Sequence, residues 1–239
     1  MNVEKMIYKL ILFDLDDTLF DYSQCFEEGM RQTIGRHRLS ADLDHDSFYR
    51  KLKAYSDELW PDLTQNRISL AEYRFRRLEK TAAHWGRTVA EEVAKDFQQM
   101  FLLDCFDTIK PIPEVERCLR KLAASHQLGI VTNGPEDMAF TKIERLGLSH
   151  LFSADQLIIS ERVGYHKPDR RIFTAALERF GTAPKETLFV GDSWEADVAG
   201  AIDAGMDAVW INPKKLQPAS NHLPLAVVER LEQLTDVLA

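Results

Sequence analysis

Asp14, Asp16 and Thr18 alternate at the end of an apolar run, and three polar clusters follow much later: Thr132-Asn133-Gly134, Lys167-Pro168 and Gly191-Asp192-Ser193, with Asp197 just beyond. Carboxylates gathered with a lysine and a hydroxyl are what metal-dependent phosphoryl transfer needs. Carboxylate oxygens are hard ligands suited to Mg2+, which usually takes one or two of them together with a substrate phosphate. An ionised Asp with a free oxygen can attack phosphorus and form an aspartyl-phosphate. A second carboxyl two residues on can protonate the leaving alkoxide and later deprotonate water, while Lys and Thr offset charge building on the phosphoryl oxygens. Each element also has a plainer reading when taken alone. A DxD caps a helix or decorates a loop, Thr132 serves a turn, Lys167 lies on the surface, and Asp192 and Asp197 cap and line the next helix. Their order along the chain, each at an expected strand end or adjoining loop, favours one catalytic site. Asp17 is expected to point away from Asp16 and take no part.

The elements that must carry these residues follow from periodicity. Ile7 to Phe13 is a short apolar run that stops at Asp14, as a buried strand does. Similar runs cover Leu128 to Val131, Leu157 to Ile159, Thr187 to Val190 and Ala208 to Ile211, each closed by turn residues. Helical patterns lie between them at Glu114 to Ser125, Glu136 to Leu146, Arg171 to Phe180 and Glu195 to Ala204. Alternation of this kind predicts an α/β fold, a Rossmann-like parallel sheet with helices on both faces. Ligands of such sheets bind at the carboxyl ends of the strands, where the polar clusters fall.

From Phe20 to Thr108 the pattern changes to four long amphipathic segments, Ser23 to Ile34, Asp46 to Leu59, Ser69 to His84 and Val89 to Leu103. The expected organisation is a core of residues 1–19 and 109–239 interrupted by an inserted all-helical domain, 20–108. Lys110-Pro111-Ile112-Pro113 marks the return, because proline disfavours helix in the residue before it. Arg74, Arg76 and Arg77 read as a solvated helix face.

Composition narrows the function. Lys plus Arg number 30 against 38 Asp plus Glu in 239 residues, a net charge of −8 that disfavours a nucleic-acid polymer as partner. No apolar run approaches the roughly 18 residues of a membrane-spanning helix, so no membrane partner is expected. Cys25, Cys105 and Cys118 are odd in number and form no CxxC, which points away from a disulfide framework and a zinc site and toward a cytoplasmic protein.

At the polar clusters the chain resembles the haloacid-dehalogenase-like (HAD) hydrolase superfamily over essentially its whole length. Asp14, Asp16 and Thr18 match the DxDxT motif, Thr132 the second motif, Lys167 the third, and Gly191, Asp192 and Asp197 the GDxxxxD fourth; the helical insert is similar to a C1-type cap. The resemblance implies Asp14 as nucleophile and Asp16 as general acid and base. It implies Mg2+ held by Asp14, the backbone carbonyl of Asp16, and Asp192. Thr132, Asn133 and Lys167 would meet the substrate, with Thr18 and Asp197 in support. Expelling halide needs no acid at the second Asp position, whereas cleaving a phosphate ester gains from one, so Asp16 favours a phosphatase.

Phe20-Asp21, Leu59-Trp60, Arg67-Ile68-Ser69, Val131 to Gly134, Ser160 to Pro168 and Trp210 to Pro213 are together similar to the bacterial noncanonical pyrimidine 5'-nucleotidase branch. That implies a small phosphorylated metabolite, a nucleoside 5'-monophosphate, with Trp60 or Phe20 stacking on the base; the plainer reading places both aromatics in a core. His166 reads as a loop histidine, and Trp194 is expected to pack beneath the fourth motif. A phosphatase for small sugar phosphates or phosphoglycolate is the alternative. A catalytically idle HAD-like binding protein is another, though one that has no need of Asp14, Asp16, Thr132, Lys167 and Asp192 together.

Overall fold

The structure is a computed structural model that describes residues 8–239. It divides into two compact units, one formed by the described part of Met1–Asp21 with Pro111–Ala239, the other by Tyr22–Lys110.

The first unit is built on a six-stranded parallel sheet. Strand β1 (Leu10–Phe13) is apolar throughout and wholly buried, as befits a strand covered on both faces. The expected strand began at Ile7, which lies outside the described residues; the observed one begins at Leu10. After α5 (Pro113–Ala123, following the four helices α1–α4 described below) come β2 (Gln127–Thr132), α6 (Glu136–Arg145), β3 (Leu157–Ile159), the short α7 (Ser160–Val163), α8 (Arg170–Phe180) and β4 (Thr187–Gly191). A π-helical turn (Trp194–Ala199) then leads into α9 (Gly200–Asp203), β5 (Asp207–Ile211), β6 (Ala226–Val228) and α10 (Leu234–Val237). The strand order is β3-β2-β1-β4-β5-β6, so chain progression reverses between β1 and β4. Their register aligns Phe13 with Val190, and the two strands therefore end side by side. Crevices at such reversals are where open parallel sheets bind ligands.

Local chemistry explains the helices. Pro113 opens α5 at a position where its missing N–H costs nothing, and Val115, Cys118, Leu119 and Leu122 form its buried stripe. Asp169 caps α8 by accepting from the Arg171 N–H at 2.9 Å, and Gly181, at φ +63°, ends it in the left-handed conformation. Phe173 of α8 meets Phe189 of β4 edge to face at 5.4 Å, inside a layer with Leu10, Leu12, Val131 and Ile158.

Two differences from expectation have physical causes. The helix anticipated over 195–204 starts as a wider turn, in which the N–H groups of Asp197 and Val198 both reach the Ser193 carbonyl, at 3.0 and 3.2 Å. Strand β6 was not anticipated: Ala-Val-Val is too short to show alternation, and pairing with β5 creates it.

The second unit is all helical: α1 (Tyr22–Arg36), α2 (His45–Thr64), α3 (Leu70–Ala83) and α4 (Glu91–Thr108). Asp44 and Ser69 cap α2 and α3 through the Ser47 and Glu72 N–H groups, at 2.8 and 3.2 Å. Helices α1 and α4 approach closely at Gly29, where an added methyl would sit 2.6 Å from the Cys105 Cα. Arg77 corrects the expectation of a solvated arginine face. It is only 6% exposed, its guanidinium 5.2 Å from the Tyr73 ring centroid and 3.2 Å from Gln98 Oε1. Its position on α3 adjoins the buried stripe of Tyr73, Leu78, Thr81 and Ala82, which the clustering with Arg74 and Arg76 conceals.

Candidate active site

Asp14 is the first residue past β1. Its N–H donates to the Val190 carbonyl at 2.9 Å, which ties it to the end of β4, and it is only 7% exposed. Asp192 follows β4, and carboxylate oxygens of Asp14, Asp192 and Asp197 lie within 4.8 Å of one another. Thr18 Oγ1 stands between two of them, 3.4 Å from Asp14 Oδ2 and 3.3 Å from Asp192 Oδ1.

Into this acidic group reaches Lys167, itself buried, with Nζ 2.5 Å from Asp14 Oδ1 and 2.6 Å from Asp197 Oδ1. Burial disfavours its charge, yet the facing carboxylates Asp14 and Asp197 outweigh burial and push its pKa above the ordinary lysine value. Asp197 accepts from the Ser193 N–H with its other oxygen, at 3.0 Å, so both of its oxygens already have donors. The arrangement depends on Gly191: a methyl there would fall 2.4 Å from the Asp197 Cγ.

Asp192 is differently placed. Burial, then the charges of Asp197 and Asp14, push its pKa up to about 8. Asp14 and Asp192 are hard carboxylate donors whose oxygens lie close together, and with a lysine beside them they form a donor set suited to Mg2+. The Asp192 backbone is held by Trp210, whose Nε1 donates to the Asp192 carbonyl at 2.8 Å. Trp194 packs against that same Trp210 ring at 4.7 Å.

Asp16 faces a partner remote in sequence. Lys142 Nζ on α6 contacts both Asp16 oxygens at 2.7 Å, and Lys142 is fully buried. Burial raises the Asp16 pKa, Lys142 pulls against it, and the neighbouring Asp14 raises it further. Asp17 adopts φ +61°, a left-handed turn rarely taken by a residue with a Cβ.

Thr132 ends β2, nearly fully buried, and its Oγ1 accepts from the Gly134 N–H at 2.8 Å. The Asn133 side chain donates from Nδ2 to the Lys167 carbonyl at 2.9 Å and accepts the Lys167 N–H at 2.8 Å. An amide paired at both ends is a clamp on the lysine backbone. Phe20 is 6% exposed and forms an isolated bridge with Asp16, leaving little ring for stacking. Trp60 belongs to the helical unit, 39% exposed, its ring 6.0 Å from Tyr73. His166 is half-buried, with its Nδ1 lacking a hydrogen-bond partner.

The missed residues left uneven signals. Lys142 interrupts the apolar stripe Met138, Ala139, Ile143 of α6, and a charge in the buried phase of a short helix was a legible sign of a buried partner. The bond from Trp210 to Asp192 joins strands 18 residues apart and had no local signature.

The α/β unit thus sets carboxylates at the adjoining ends of β1 and β4, with Lys167 reaching in from the loop between α7 and α8. The chain belongs to the haloacid dehalogenase-like hydrolase family, which matches residues 8–205. It is 28% identical over 234 residues to the pyrimidine 5'-nucleotidase YjjG of Escherichia coli, covering 98% of this chain and 99% of that one. To the glyceraldehyde 3-phosphate phosphatase of Methanopyrus kandleri it is 32% identical over 238 residues, covering 96% and 97%. Among solved structures, the 2-haloacid dehalogenase of Pseudomonas syringae is 29% identical with a TM-score of 0.72, over 97% of this chain and 98% of that one. No helix among the described residues is long and apolar enough to cross a membrane.

Proposed function

We propose that the protein is a Mg2+-dependent phosphomonoester hydrolase working through an aspartyl-phosphate on Asp14. The observation that carries this reading is the buried Asp14 carboxylate, fixed by Lys167 at 2.5 Å beside Asp192, with a second carboxyl at Asp16. Asp14 attacks phosphorus and the bond from phosphorus to the ester oxygen breaks, while Asp16 gives its proton to that oxygen. Asp16 then takes a proton from water, the resulting hydroxide attacks phosphorus, and the bond to Asp14 breaks, restoring both carboxyls. Lys167 and Thr132 meet the charge on the transferred group. Asp14, Asp192 and the Asp16 backbone carbonyl would hold Mg2+, which supplies positive charge against the phosphate dianion when bound. Burial and the Asp14 charge raise the Asp16 pKa, the direction that favours an acid, while Lys142 opposes them.

The substrate class we favour is nucleoside 5'-monophosphates, on the likeness to the E. coli nucleotidase. Small sugar or triose phosphates are the second reading, supported by the 32% identity to the glyceraldehyde 3-phosphate phosphatase. Hydrolysis of para-nitrophenyl phosphate with Mg2+, abolished by EDTA and restored by Mg2+, tests the reaction; full activity in chelator would remove the metal role. A panel of nucleoside and sugar monophosphates ranked by kcat/KM decides between the substrates.

A further inference from the structure

We propose that Lys142 is the positioning residue for Asp16, fixing the carboxyl that moves the proton in both halves of the phosphatase reaction. The inference rests on the phosphomonoesterase reading and assigns a residue that the family motifs leave out.

Three observations carry it. Lys142 is fully buried and belongs to the apolar stripe of α6, with Met138, Ala139 and Ile143, so the fold takes an ammonium out of water and brings it to Asp16. Its Nζ contacts both oxygens of Asp16 at 2.7 Å, whereas Lys167 shares itself between one oxygen of Asp14 and one of Asp197. Gripping both oxygens fixes the plane of the carboxyl as well as its location. The Asp16 side chain is still 21% exposed while Lys142 is 1% exposed, so the carboxyl is held from behind and left accessible.

Gly134 closes the third side. A methyl there would lie 3.1 Å from Asp16 Oδ2 and 3.0 Å from Thr132 Oγ1, tighter than ordinary contact, with Lys142 Nζ 3.7 Å away. The Thr132-Asn133-Gly134 segment thus seats the phosphate-facing hydroxyl, clamps Lys167 through Asn133 and makes room for the pair of Asp16 and Lys142. Proton transfer is sensitive to such placement, since misplacing a reacting group by about 1 Å costs on the order of a hundredfold in rate.

Lys142→Met, Lys142→Gln and Lys142→Arg are compared with the wild type, with circular dichroism to show folding; if Lys142→Met does not fold, Lys142→Gln carries the same comparison. For a nucleoside monophosphate, whose alkoxide needs a proton, Lys142→Met should lower kcat by about a hundredfold with KM changed by less than about threefold. Single-turnover phosphorylation by para-nitrophenyl phosphate, a better leaving group, should fall by less than about tenfold. Lys142→Arg should recover at least about tenfold of the lost kcat. In an Asp16→Asn background, Lys142→Met should cause no further loss, because the two act as one unit. Equal losses with both leaving groups, or the full loss again in the Asp16→Asn background, would overturn the assignment and leave Lys142 a purely structural partner. Absence of phosphatase activity in the wild type would instead overturn the reaction and the assignment together, so the two failures are distinct.

Discussion

Buried charge is concentrated in one unit and dispersed in the other. In the α/β unit, Asp14, Asp16, Lys142, Lys167 and Asp197 converge at the ends of β1 and β4, and Asp192 stands beside them with its pKa pushed up to about 8. In the helical unit, buried polar groups are met by one or two partners at separate points. Asp104 accepts from Thr33 Oγ1 at 2.7 Å and pairs with Arg36, His37 Nε2 pairs with Asp96 at 3.1 Å, and Arg77 meets Gln98. Such separate contacts fix helices against each other. A crowd of carboxylates repels itself, and folding tolerates that where a cation or phosphate is to be received.

The sharpest way to break this contrast is Asp14→Asn, which removes the attacking oxygen and leaves the fold. It should lower kcat by more than about a thousandfold, with circular dichroism unchanged. If more than about a tenth of wild-type kcat survived, a barrier difference of only about 1.4 kcal/mol, the nucleophile would lie elsewhere.

Paired glycine substitutions sharpen the comparison next. Gly191→Ala drives a methyl to 2.4 Å from the Asp197 Cγ, so Asp197 must move and Lys167 with it. Activity should fall about a hundredfold. Gly86→Ala, in the helical unit, meets nothing within 4 Å and is strained only by its φ of +67°. It should lower stability by about 1 kcal/mol, a Tm shift of about 2–4 °C, with kcat/KM for para-nitrophenyl phosphate unchanged.

How much of this was legible in sequence follows the same divide. The strand-end residues were readable because an apolar run that stops at a carboxylate declares both the strand and the site, as at Phe13-Asp14 and Val190-Gly191-Asp192. The four helices of the insert were readable from periodicity. What escaped were contacts made by side chains remote in sequence: Lys142 on Asp16, 126 positions away, and Arg77 turned inward against Tyr73. The clamp of the Asn133 amide on the Lys167 backbone, 34 positions away, likewise had no local signature.

Trp60 tests whether the helical unit contributes recognition. With 39% of its surface exposed, Trp60→Ala should lower kcat/KM for a pyrimidine nucleotide by about tenfold, the worth of one stacked base, while barely altering para-nitrophenyl phosphate turnover. Equal losses on both, with an earlier melt, would make Trp60 a packing residue and favour the sugar-phosphate reading.

The smallest expected effect is thermodynamic. Asp192 binds its proton more tightly folded than unfolded, so its contribution to stability falls as pH rises from about 4 toward 8. In EDTA, Asp192→Asn should therefore melt higher than the wild type, by a margin that grows over that range and reaches a few degrees near pH 8. Saturating Mg2+ should raise the wild-type Tm and not that of Asp192→Asn. A margin independent of pH would mean that carboxylate repulsion is not what the site stores.

The most direct test of the central claim is to find the phosphoryl group. Wild-type protein mixed with para-nitrophenyl phosphate and Mg2+, quenched in acid within a turnover and digested, should yield a phosphoryl adduct on the peptide carrying Asp14, lost on treatment with hydroxylamine and missing from Asp14→Asn. Turnover with no adduct at any quench time, or an adduct on a different residue, would contradict a reaction through Asp14.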